Sequence, residues 1–86
     1  MSTTLHPELR GLPVTTNGIE LARTVDVLVD GEGELVGFEL ACRDGTRRFL
    51  PAGAAEIGAT EVHVGSALVF LTERELDWYR DRTSAA

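Results

Sequence analysis

Leu21 to Cys42 reads LARTVDVLVDGEGELVGFELAC, two apolar runs around the turn Asp30-Gly31-Glu32-Gly33-Glu34. In the first run Leu21, Val25, Val27 and Val29 share one parity while Thr24, Asp26 and Asp30 share the other, the period of a half-buried strand. In the second, Val36, Phe38, Leu40 and Cys42 form an apolar row, with Glu39 facing the other way. Two such runs joined by a glycine-rich turn make a hairpin with one face to bury.

Working outward, Leu9, Leu12 and Val14 surround Gly11 and Pro13, a short first strand whose proline places it at a sheet edge or start. Asn17-Gly18 turns it back into Ile19-Glu20-Leu21, because Asn-Gly tolerates positive φ at little cost. Beyond Cys42, Asp44-Gly45 repeats that logic, and Arg47 to Leu50 returns until Pro51 stops it. Ala52 to Ala55 reads as a corner or a single helical turn. Glu61-Val62-His63-Val64-Gly65 then alternates, with the valines inward and His63 outward. Short strands with frequent turns predict a mostly β fold: a small, closed, six-stranded antiparallel barrel over residues 9–71, preceded by a loose tail over 1–8. The period changes at Thr72-Glu73-Arg74-Glu75, a capping box that predicts a helix over 72–82 packed on the barrel, with 83–86 fraying.

With 86 residues there is room for one core. A net charge of -6 repels phosphate backbones at long range and disfavours nucleic acid as a partner. The single cysteine, Cys42, excludes an internal disulfide and fits a reducing compartment. No stretch approaches the roughly 20 apolar residues that span a bilayer. A cytoplasmic protein is the expectation.

Within this pattern, Leu9-Arg10-Gly11-Leu12-Pro13-Val14, Ala22 to Asp30, Leu35-Val36-Gly37-Phe38 and Arg48-Phe49-Leu50-Pro51 follow one another in an order that resembles the PRC-barrel family, named for the cytoplasmic domain of the photosynthetic reaction-centre H subunit. The resemblance covers most of the chain and implies a six-stranded barrel that serves as an interaction or regulatory module, not as a self-contained enzyme. Reaction-centre subunits place a transmembrane helix before the barrel, and none precedes it here. Ribosome maturation factors that share the barrel carry an aromatic pair at its mouth, where this chain has Glu8-Leu9-Arg10. The resemblance therefore points to a free-standing bacterial member.

Asp30, Glu32 and Glu34 alternate like calcium ligands, but Leu35 stands where the loop needs glycine and Ala41 where it needs a bidentate glutamate, so a solvated turn is expected. Asp26 is expected to pair with Arg23, Arg47 or Arg48 across the sheet. His6, His63 and Cys42 fall on a tail, an outer face and an inner face, too scattered for zinc or for a Cys42-His63 dyad. No metal, cofactor or catalytic residue is expected, and a metal- or small-ligand-binding protein using His63, Cys42 and nearby acids stays as an alternative.

Two surfaces remain. Arg43, Arg47 and Arg48 flank one hairpin tip and suit an anionic partner, which keeps an accessory RNA or ribonucleoprotein role as an alternative. Leu68, Phe70, Leu71, Trp78 and Tyr79 are the candidate protein interface, most simply of a homodimer, because tryptophan and tyrosine concentrate binding energy. The competing expectation for Trp78 is that it plugs one end of the barrel.

Overall fold

The computed structural model describes residues 9–85. Strands β1 (Pro13–Thr16), β2 (Ile19–Val29), β3 (Leu35–Cys42) and β4 (Arg47–Pro51) follow in sequence, each antiparallel to the one before. A 3-10 turn over Ala52–Ala54 fills the expected corner and leads into β5 (Ala55–Ile57) and β6 (Val62–Val64). A second 3-10 turn over Ala67–Val69 precedes helix α1 (Glu73–Arg80), and β7 (Ser84–Ala85) ends the described chain. The anticipated tail over 1–8, and His6 with it, lie outside the described residues.

The sheet runs β4-β3-β2-β1-β6-β5, with β7 on β2 beyond the end of β1. It curls around its core without closing. Two expectations fail here. The sheet is mixed, since β1 and β6 are parallel through Val14↔Val62 and Thr15↔His63. It is also open, because among the described residues β5 pairs only with β6, and the far edge of β4 is met by a single bridge between Phe49 and Leu71.

A bulge in β2 between Thr24 and Asp26 changes which side chains point inward. Ala22 and Thr24 are buried before it and Val27 after it, whereas Leu21, Val25 and Val29 are only half-buried. The single apolar row expected along β2 is therefore broken at its middle. The inner core is Val14, Ala22, Val27, Phe38, Leu40, Leu50, Val62 and Val64. The outer face of the same sheet carries a second, smaller core of Leu28, Phe49 and Leu76, flanked by Val36, Leu71 and Tyr79.

Helix α1 forms that roof. Thr72 caps it as expected: its hydroxyl accepts from the Glu75 amide at 3.4 Å, and the Glu75 carboxylate accepts from the Thr72 amide at 3.0 Å. Leu76 is fully buried, and Tyr79 stacks on Phe49 with ring centroids 4.0 Å apart. The roof needs a flat place beneath it. Gly37 provides one, since a Cβ there would collide with the Phe49 ring and the Leu50 carbonyl. After the helix, Thr83 donates to the Tyr79 carbonyl at 2.6 Å and Ser84–Ala85 pair with β2, where the sequence suggested a fraying end. Among the described residues no helix is long and apolar enough to cross a membrane.

Candidate functional site

At the β3–β4 end of the sheet, an open cleft of about 460 Å³ is lined by Leu21, Cys42, Arg43, Asp44, Arg48, Ala67, Leu68 and Phe70. Its floor follows from alternation: Cys42 ends the inner row of β3, Arg48 follows Arg47 on the opposite side of β4, and Phe70 packs against the inner core. Its rim comes from the 3-10 turn. Ser66 caps that turn by accepting from the Leu68 amide at 3.0 Å, and Leu68 is left 92% exposed.

The electrostatics of the cleft set it apart from the rest of a net-acidic chain. Among the described residues Arg48 has no ion pair, and Arg43 donates only to the Glu20 backbone carbonyl, at 3.2 Å. Asp44 supplies the one carboxylate of the cleft, but it is turned toward its own loop, accepting from the Thr46 hydroxyl at 2.6 Å and the Thr46 amide at 3.0 Å. Those bonds hold its carboxyl below the ordinary aspartate range, so it stays ionised at neutral pH. Burial pushes the Cys42 thiol up, which makes it a poor nucleophile where it lies.

The arginine patch expected from the sequence is thus divided. Arg47 leaves it for the outer face, where its Nη1 donates to Glu39 at 2.9 Å. Glu39 is 4% exposed, and Arg80 of α1 meets it as a fork, Nε to Oε1 at 3.1 Å and Nη2 to Oε2 at 2.6 Å. This buried carboxylate joins the helix to the sheet. Alternation placed Glu39 opposite Phe38 and Leu40 but gave no sign that a helix would cover it. Asp26 finds Arg10 at 3.5 Å instead of the three arginines proposed for it, while Arg23 pairs with Glu20 at 3.1 Å.

The aromatic and aliphatic interface set divides along the same line. Leu68 and Phe70 belong to the cleft, whereas Leu71 and Tyr79 pack in the outer core beneath α1. Trp78 plugs nothing. It is 51% exposed on the helix, edge-on to Tyr79, with the Arg82 guanidinium 3.9 Å above its ring. Leu76 takes the buried place instead.

His63 lies half-buried on β6 beside a depression lined by Gly53, Ala54, Ala55, Glu56 and Gly65, away from the cleft that holds Cys42. The two groups are not brought together. Among the described residues no group of three or more His, Cys, Asp or Glu side chains could hold a metal ion. In the turn after β2, one Asp30 oxygen accepts from the amides of Glu32 and Glu34 at 2.8 and 3.0 Å, which shapes the loop and leaves the Glu32 and Glu34 side chains exposed. Neither a family model nor a curated protein matches this chain, so the reading of the site rests on its own geometry.

Proposed function

We propose that this protein is a non-enzymatic, PRC-like interaction module that works in the cytoplasm and binds protein, a second copy of itself first. The observation that supports the reading is the pairing, in one cleft, of a leucine left 92% exposed with two guanidiniums, Arg43 and Arg48, that form no close ion pair among the described residues. An apolar side chain held out on a capped turn loses little conformational freedom on docking, and arginine forks beside it select a carboxylate-bearing partner. The outer face of α1 is the weaker candidate, because Arg82 already covers Trp78. Diversion of Arg47 to Glu39 also reduces the arginine cluster that an RNA-binding role would use.

Sedimentation velocity over a wide concentration range tests the reading. The weight-average mass of the wild type should rise with concentration, and Leu68→Ser should lower it at every concentration without changing the far-ultraviolet dichroism. A wild type that sediments as one monomer throughout would rule out self-association as the role of the cleft.

A further inference from the structure

The turn before β3 is strongly acidic, whereas the cleft beside the turn after it holds two arginines, Arg43 and Arg48, against one carboxylate, Asp44. Before the strand lies Asp30 to Glu34, after it Arg43 to Thr46, and β3 itself, Leu35–Cys42, separates them by eight residues. At about 3.3 Å per residue this is roughly 26 Å. The acidic turn is narrow as well as charged. Gly31 and Gly33 carry no side chain and have nothing within 4 Å of where one would start, so only Glu32 and Glu34 project. Asp30 pins the loop from beneath, and neither projecting glutamate is paired with a described cation. At the other end Arg43 and Arg48 line a cleft of about 460 Å³ whose one carboxylate, Asp44, accepts from Thr46 and also feels Arg48, so that the two arginines leave the lining positive by one charge.

We propose that copies of this chain associate head to tail, the acidic turn Asp30–Glu34 of one copy docking in the cleft of the next with Glu32 and Glu34 on Arg43 and Arg48. The proposal rests on the self-associating reading above and specifies its geometry. The contact proposed is the heterologous one, in which each junction leaves one free turn and one free cleft, as distinct from the reciprocal two-fold pair in which both turns dock at once. It produces a ladder of short oligomers. The contact is made of exposed ion pairs, so it is weak, in the high-micromolar to millimolar range, and screened by salt.

A charge-swap experiment tests it by sedimentation velocity on three proteins: the wild type, the turn variant Glu32→Arg/Glu34→Arg, and the cleft variant Arg43→Glu/Arg48→Glu. The wild type should form concentration-dependent oligomers whose apparent affinity falls about tenfold or more between roughly 0.05 and 0.5 M salt. Each variant alone should be monomeric, and an equimolar mixture should regain oligomers, because the reversed turn fits the reversed cleft. Dichroism reports folding, and Arg43→Glu alone serves if the double cleft variant does not fold. Variants that associate as the wild type does, or folded variants whose mixture stays monomeric, would overturn the head-to-tail contact while leaving self-association intact. A wild type monomeric at about 1 mM and low salt would overturn both.

Discussion

Replacing both arginines that hold Glu39 is the most informative stress on the fold. Glu39 is 4% exposed, whereas the side chains of Arg47 and Arg80 remain 46% and 43% exposed. The burden of desolvation therefore falls on the carboxylate. Removing the cations strands a buried charge, while removing the anion leaves two guanidiniums that water can reach. Arg80→Met takes away the fork and keeps the aliphatic stem and the helix propensity, and should cost about 2 kcal/mol, in line with hydrogen bonds to a charged group. Arg47→Met/Arg80→Met should cost about 3–5 kcal/mol, and Glu39→Met no more than about 1 kcal/mol. Urea unfolding followed by dichroism reads these directly: with m near 1 kcal/mol/M for a domain of this size, the midpoint should fall by about 2 M for the single arginine variant and further for the double. A domain of 86 residues has roughly 4–13 kcal/mol of stability in all, so the double variant approaches the limit of folding. The reasoning fails if Glu39→Met is as damaging as the double arginine variant, or if the double variant lies within about 1 kcal/mol of wild type.

Three further outcomes follow from local geometry. Gly37→Ala should cost about 1–3 kcal/mol, since its methyl meets the Phe49 ring and a backbone carbonyl; its thermal midpoint should drop while Gly53→Ala, in open space, leaves the midpoint nearly unchanged. Thr72→Ala removes the cap of α1 and should cost about 1 kcal/mol, read as a lower urea midpoint with unchanged slope. At pH 8 the Cys42 thiol should react with a disulfide reagent more slowly than a free cysteine. Its folded-state pKa is raised, so the thiol's contribution to stability is complete below the ordinary pKa of 9.0 and is lost as pH rises through the folded value; Cys42→Ala should flatten the alkaline side of the stability profile.

How much of this was legible in the sequence depends on how local each cause is. The turns at Asn17-Gly18, Asp30–Glu34 and Asp44-Gly45, the stop at Pro51 and the Thr72 cap are set by a few neighbouring residues, and each appears where it was expected. The β2 bulge was not readable, because a parity change at Val25 depends on the register of β3. The parallel seam between β1 and β6 joins segments 48 positions apart at Val14 and Val62 and leaves no mark on local alternation. At the candidate site, Leu68, Phe70, Arg43 and Arg48 were singled out but assigned to separate surfaces, which the fold of the 3-10 turn over Cys42 unites. Arg47 was grouped with its neighbour Arg48, although adjacent strand residues point to opposite faces. Alternation holds for charged residues as for apolar ones, and it puts Arg47 on the outer face with Glu39 and Arg48 on the side of the cleft.

Chemical-shift changes in the wild-type amide spectrum on dilution from about 1 mM at low salt report the proposed contact residue by residue. The shifts should gather at two places, residues 30–34 and the cleft residues Arg43, Arg48, Leu68 and Phe70, and vanish at high salt. Shifts confined to α1 around Trp78, or a spectrum that does not change with concentration, would contradict that contact.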